Sequence, residues 1–236
     1  TNVVSSCGIT LTQASILCAS TYKKYNFYDY SLFAESPVLF KKDHTELYVY
    51  PLKNGKYVLA FQGSNETLDW IDDVNCLFVN KKTNPFYENA IKVSAGFSNN
   101  YSAIAITVMN LVYQYGVNKI ILTGHSLGAA NARRARFEIK SVFGVEVPVI
   151  CFGEPHGGNK AYYDYCGVTN TWSVQNGRDI VCKVPFASWG YYSPERIRID
   201  GSNVSVPKWK WRWLFKIIGN AEDHYPQRYV EGCRKF

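Results

Sequence analysis

GHSLG, residues 124–128, sits between NKIILT (118–123) and AANARRARFEI (129–139). Lys119–Thr123 is a short, β-branched apolar run. It is too short for a helix and suits a strand buried on both faces. The Ala- and Arg-rich run after Gly128 consists of good helix formers. Ser126 therefore falls on a sharp strand-to-helix turn. Glycines two residues to either side let the backbones close in without a Cβ clash. Such a turn pushes the serine hydroxyl clear of the sheet, above the N-terminus of the helix. The arrangement is a G-x-S-x-G nucleophile elbow. The strand before it and the helix after it separate it from a Gly-rich turn that happens to hold a serine.

Outward from the elbow, the chain after residue 95 alternates helices and strands. GFSNNYSAIAITVMNLVYQYG (96–116) reads as one helix ending at Gly116, and the helix after the elbow runs to about Phe143. EVPVICFGEP (146–155) and TNTWSVQ (169–175) read as further strands, and RIRIDGSNVSV (196–206) as a late edge hairpin. Earlier, TLTQASILCASTYKKY (10–25) reads as a helix, followed by a loop. TELYVYPLKNGKYVLAFQG (45–63) is two alternating runs joined around Asn54-Gly55, a hairpin signal. The order implies an α/β fold with a mostly parallel sheet, right-handed crossovers and a site at the carboxyl ends of the strands.

Composition bounds what such a fold does. The chain has 236 residues, 47 % of them hydrophobic, enough for one large domain. Its net charge of +7 is too modest and too scattered to argue for nucleic acid, and a monomer is expected. No apolar run reaches about 18 residues, so no transmembrane helix is read. The sequence opens on Thr1 rather than Met, which points to processing or trimming, and no signal-peptide pattern is read. The seven cysteines include no CxxC pair, which argues against zinc or redox motifs; no metal or cofactor is called for. Cys76, Cys151 and Cys182 read as small core residues, and Cys7 and Cys233, near opposite ends, could tie the termini. Secretion is the expected location, with an intracellular one as the alternative.

A serine nucleophile needs a base, and the base needs an orienting acid. In this fold the chain order is Ser, then Asp or Glu, then His. Of four histidines, His44 precedes the serine, and His125 adjoins it and points elsewhere on the turn. His156 has no acid well placed between it and Ser126. His224 in AEDHYPQRY remains as the base. Asp179 in VQNGRDIVCKVP follows a strand and precedes apolar residues that would bury it, so it is the expected acid. Asp164 reads as a helix surface residue, Glu195 and Asp200 belong to the edge hairpin, and Asp223 cannot readily turn onto its neighbour's ring. The backbone N–H of Leu127 is one expected oxyanion donor. Ser64, where FQGS ends a strand, offers a second through its N–H and hydroxyl.

These residues resemble a family. FQGS, WIDD, Gly96-Phe97, TGHSLGAA, FGEP with Gly158-Asn159, NGRDIVCKVP and DHYPQRY match, in order, the motifs of the class 3 lipases, over residues 58–230. That family includes fungal triacylglycerol lipases and feruloyl esterases. The resemblance implies an α/β-hydrolase fold and the same triad of Ser126, Asp179 and His224. It places the oxyanion hole on Ser64 and Leu127, supported by Asp73, and a mobile lid on about Asn65 to Val74. The sequence departs from the family at Gln62, usually Arg, at Ser94, often His, and at Pro155-His156-Gly157-Gly158, usually Pro-Arg-(Val or Ser)-Gly. These departures bear on the substrate pocket.

Within the lid segment, Leu68 and Ile71 share a helical face that Val74 continues. Trp70 beside them favours lipid esters over plant cell-wall esters. The expected activity is acyl-enzyme hydrolysis of triacylglycerol or phospholipid esters, with transient contact at a membrane or lipid interface. A soluble carboxylesterase such as a feruloyl esterase is the alternative, and a non-catalytic lipid-binding protein the second. VPKWKWRWLFKIIG (206–219) alternates Trp209, Trp211 and Trp213 with Lys208, Lys210 and Arg212. It reads either as core packing or as a seat on an anionic interface.

Overall fold

Apolar runs buried on both faces become the central strands. The structure is a computed structural model and describes residues 7–23, 33–64, 78–80, 91–206 and 219–236. In chain order the strands are β1 (Val38–Lys42), β2 (Thr45–Pro51), β3 (Tyr57–Phe61), β4 (Phe78–Asn80), β5 (Lys92–Ser94), β6 (Ile120–His125), β7 (Val149–Phe152), β8 (Thr171–Asn176) and β9 (Ile197–Ile199). The α-helices are α1 (Leu11–Ser20), α2 (Ala95–Ser102), α3 (Ala105–Tyr115), α4 (Leu127–Phe143), α5 (Lys160–Cys166) and α6 (Pro226–Lys235). Seven strands form one sheet in the order β1-β2-β3-β6-β7-β8-β9. The first three are an antiparallel meander, and from β3 onward every pairing is parallel. β4 and β5 form a separate antiparallel pair.

The strand period of two splits the core. Ile121, Ile150, Phe152 and Val174 face Leu17 of α1 and Tyr229 of α6. Leu122, Val149 and Cys151 face Val108 and Leu111 of α3 and Ala129 and Ala132 of α4. The sheet is therefore covered by helices on both faces, as a parallel sheet requires. Local signals start and stop these helices. Thr10 and Gln13 form a reciprocal capping box on α1, and Gly144, in the left-handed region at φ 69°, closes α4.

Three expectations are corrected. The single helix over 96–116 is two, α2 and α3, broken at Ala103 and Ile104. Phe97, Tyr101, Ile104, Val108 and Leu111 keep one continuous buried stripe across the break, so periodicity could not reveal it. Ser102 Oγ instead bonds the Asn99 carbonyl at 2.7 Å, a local contact that competes with the helical ladder. The late edge hairpin is a single strand, β9, parallel to β8. After it the chain turns onto α6: a Cβ at Gly201 would lie 1.9 Å from the Arg228 carbonyl oxygen, and Arg228 Nε donates to the Val204 carbonyl at 3.2 Å. Cys7 and Cys233 are not bridged to each other; both are buried in the core. Burial pushes the Cys233 thiol up to about 12, so it behaves as a small apolar group.

One buried ion pair ties the helix after the elbow to the sheet. Arg133 on α4 donates from Nε and Nη2 to both carboxylate oxygens of Glu154, just past β7, at 2.9 Å each. Ser173 Oγ of β8 adds a bond to the same carboxylate at 3.1 Å. Burial raises the Glu154 carboxyl, but the Arg133 charge and its hydrogen bonds outweigh this and hold it below its ordinary range. Removing one partner strands the other charge in the core. Arg133→Met should cost about 3–5 kcal/mol in urea unfolding. The double variant with Glu154→Gln should regain a substantial part of that loss. Equal midpoints for the single variant and the parent would show that the pair does not hold the fold.

Candidate active site

The elbow is built as its glycines require. Ser126 takes φ 61° and ψ −129°, a conformation an L-residue adopts only where its surroundings impose it. A Cβ at Gly124 would lie 2.1 Å from the Gly128 carbonyl oxygen, and one at Gly128 would lie 2.1 Å from the Phe61 carbonyl oxygen. Both positions exclude any side chain. Leu127 is the first residue of α4, where a backbone N–H has no partner within the helix. Ser64 follows Gly63, which lies against the elbow: a Cβ at 63 would sit 3.2 Å from the Ser126 Cβ.

Asp179 and His224 come from segments 45 residues apart and meet in the interior. His224 Nδ1 donates to Asp179 Oδ2 at 2.7 Å, with side chains 5 % and 0 % exposed. Asp179 also accepts from the Tyr229 hydroxyl at 2.5 Å and from the Val181 backbone N–H at 2.9 Å. Burial alone would raise this carboxyl. The His224 charge and these donors outweigh it, and the group stays below its ordinary range. His224 Nε2 is buried and has no protein partner among the described residues. Gly153 makes the meeting possible, because a Cβ there would lie 2.9 Å from His224 Cε1 and 3.0 Å from Asp179 Oδ2.

The neighbouring acid is engaged elsewhere. Asp223 accepts from Arg228 Nη1 at 2.6 Å and from the Arg178 N–H at 2.9 Å. Its backbone carbonyl accepts from Asn176 Nδ2 at 2.9 Å, which holds the loop bearing His224 against the end of β8. Asp164 pairs with Lys160 on the exposed face of α5. His156 is tied into the 184–185 loop, its Nδ1 bonding the Pro185 carbonyl at 2.7 Å. Gln62 departs from the family's Arg and donates from Nε2 to the Thr21 carbonyl, joining the end of β3 to the end of α1. Ser94 is buried at the start of α2, its N–H bonded to the Gly157 carbonyl at 2.9 Å.

Several contributors were not read from the sequence. Tyr229, Gly153 and Asn176 act through contacts whose partners are remote in the chain. His125 does not point away from the triad: its ring lies over that of His224, with centroids 4.5 Å apart. The lid residues Leu68, Trp70, Ile71 and Asp73 lie outside the described residues, as do the three tryptophans of 206–219.

The class 3 lipase family matches residues 58–189, more than half of the chain. The chain belongs to the class 3 lipases. His224 lies beyond the matched stretch. Among curated relatives, a chloroplastic phospholipase A(1) of Arabidopsis thaliana is 26 % identical over 188 residues, covering 69 % of this chain and 42 % of the relative. A secreted mono- and diacylglycerol lipase of Penicillium cyclopium is 28 % identical over 189 residues, covering 77 % and 58 %. The chain thus spans about half the length of these relatives. Among solved structures, the Rhizomucor miehei triacylglyceride lipase superposes with a TM-score of 0.64 at 22 % identity, covering 82 % of this chain and 79 % of that one. A triacylglycerol lipase whose catalytic centre is a serine protease triad superposes with a TM-score of 0.68 at 20 % identity, covering 94 % and 95 %. The fold is that of the α/β-hydrolases, with a mostly parallel sheet flanked by helices.

Two outcomes follow from this geometry. Gly153→Ala, at φ 58°, should displace His224 from Asp179. It should lower stability by about 1–3 kcal/mol and abolish the low-field proton resonance of the Asp179–His224 bond. An unchanged resonance would refute the close approach. Asp179 and Glu154 both hold protons less readily folded than unfolded. Their contribution to stability is present above the unfolded carboxyl range, about pH 4, and is lost as pH falls through their lower folded values. Acid titration of unfolding should show this slope. Asp179→Asn and Glu154→Gln should each reduce it.

Proposed function

We propose that this chain is a serine hydrolase that cleaves carboxylic esters of lipids through an acyl-enzyme. The observation that carries the reading is the buried Asp179–His224 hydrogen bond, whose imidazole leaves Nε2 without a protein partner among the described residues, in a chain that holds Ser126 at φ 61° between a strand and a helix. Ser126 Oγ attacks the ester carbonyl carbon, and His224 Nε2 takes its proton. Asp179 holds the Nδ1–H tautomer and stabilises the imidazolium that forms. The N–H of Leu127 and the N–H and hydroxyl of Ser64 receive the charge developing on the carbonyl oxygen. His224 then gives its proton to the leaving alcohol, and water, activated by the same imidazole, releases the acid from Ser126.

Glycerolipid acyl esters are the substrate class this reading favours. Relatives are named for phospholipase A(1) action and for mono- and diacylglycerol lipase action, and both cleave an acyl ester of a glycerol backbone. The phospholipase A(1) relative is named chloroplastic, whereas several fungal mono- and diacylglycerol lipase relatives are named secreted, and the latter support secretion here.

Ser126→Ala and His224→Ala should each lower ester turnover by about 10⁴-fold or more. An organophosphate should label Ser126 in the parent protein and nothing in Ser126→Ala. Asp179→Asn should lose roughly 10⁴-fold by holding the imidazole in the wrong tautomer. Ser64→Ala should lose about 10²–10³-fold, as for one oxyanion donor. Full activity in Ser126→Ala would end the mechanism. Turnover should be measured against acyl chain length, with monomeric and emulsified glycerol esters and with a ferulate ester. Higher turnover on ferulate than on any glycerol ester would overturn the substrate class.

A further inference from the structure

His125 lies next to the proposed nucleophile, and the triad chemistry gives it no role. It is 3 % exposed, and each ring nitrogen has a partner. Nε2 lies 2.8 Å from the backbone carbonyl oxygen of His224, and Nδ1 lies 2.8 Å from the Tyr22 hydroxyl. A carbonyl oxygen only accepts, so Nε2 carries a proton. Burial first, and then the charge of His224, hold the His125 ring well below the ordinary histidine range, so it is neutral. A neutral imidazole has one N–H. Nδ1 is therefore the acceptor, and the Tyr22 hydroxyl donates to it. The direction of both bonds follows from the carbonyl at one end.

The chain of contacts ends at the residue with the most demanding geometry. His224 is held at its side chain by Asp179 and at its main chain by His125. Two attachments leave the imidazole little freedom to rotate or slide. The far end of the chain is also fixed, because Tyr22 follows the C-terminus of α1, and its hydroxyl fills the space a side chain at Gly63 would need, 2.1 Å from the Cβ position. One hydroxyl thus abuts the loop leading to Ser64 and donates to the histidine beside Ser126.

We infer that His125, backed at Nδ1 by the Tyr22 hydroxyl, is a positioning residue that holds the main chain of His224 and so aims its imidazole between Asp179 and Ser126. The inference deepens the serine-hydrolase reading and rests on it. It differs from simple packing in what the side chain must supply. A positioning hydrogen bond needs an N–H at Nε2, whereas packing needs only a flat ring.

The test compares His125→Gln, which keeps an amide N–H near the Nε2 position, with His125→Phe, which keeps the ring and loses the donor. Tyr22→Phe removes the hydroxyl that donates to His125 Nδ1. Turnover of a soluble short-chain ester and the low-field proton resonance of His224 Nδ1–H, identified by its loss in His224→Ala, are read on each. His125→Phe should lose about a hundredfold in kcat, with KM within about twofold, as expected for a misplaced base. His125→Gln should stay within about tenfold of the parent, and Tyr22→Phe should lose about tenfold. The resonance should shift or broaden in His125→Phe and Tyr22→Phe and persist in His125→Gln. His125→Phe at least as active as His125→Gln, with the parent's resonance, would overturn the role. Should His125→Phe fail to fold, Tyr22→Phe with the parent's kcat and resonance overturns it equally. A parent protein that turns over no ester would sink the hydrolase reading alone, because the resonance still decides the positioning role.

Discussion

The strand-to-helix turn at Ser126 is the constraint from which the rest of the architecture follows. Its backbone lies in a region that costs energy for any residue with a Cβ, so the surroundings must hold it there. Gly128 lets α4 come down onto the Phe61 carbonyl, and Gly124 lets β6 come up against the first turn of α4. This contact joins two neighbouring parallel strands and one helix at a single point. Ser126 N–H bonds the Phe152 carbonyl at 2.9 Å and brings the end of β7 to the same place. The carboxyl ends of β3, β6 and β7 therefore converge around one hydroxyl; Ser64 and Leu127 follow β3 and β6, while Asp179 follows β8 and His224 comes from the turn before α6.

Convergence of this kind puts charge where water cannot reach. The fold meets that demand by pairing. Asp179 has four donors in reach counting the Cys182 thiol, and Glu154 is matched by the bidentate Arg133. Both carboxyls stay ionised against burial for the same reason. Their tasks differ. Glu154 joins α4 to β7 and β8 and faces no open valence. Asp179 joins a histidine whose outer nitrogen has no protein partner among the described residues. A buried donor or acceptor left unpaired is costly, and such sites concentrate where chemistry occurs.

Much of this was legible beforehand. The elbow, the hairpin about Asn54-Gly55 and the central strands are signalled by local pattern, and chain order was enough to bring Asp179 and His224 forward. Elsewhere local pattern was silent or misleading. β1 was not read, because VLFKK lies at the sheet edge, exposed at most positions, and shows no alternation. The break between α2 and α3 hides beneath an unbroken apolar stripe. The run after β9 alternates like a strand but is drawn onto α6 by Gly201 and Arg228.

Sequence by itself determined the alternation of strands and helices, the position of the turn that bears Ser126, and the few residue types able to complete a triad. Each of these depends on neighbours within a few positions, and a linear pattern records such neighbours directly. Tertiary structure decided which carboxylate faces His224 and which faces Arg228, that Cys7 and Cys233 are not bridged to each other, and that His125 points at the His224 carbonyl. The contacts of His224 with Asp179 and with His125 join residues 45 and 99 positions apart. Their distances are set by sheet register and helix docking, in which one hydrogen bond is won only after many other groups have been placed.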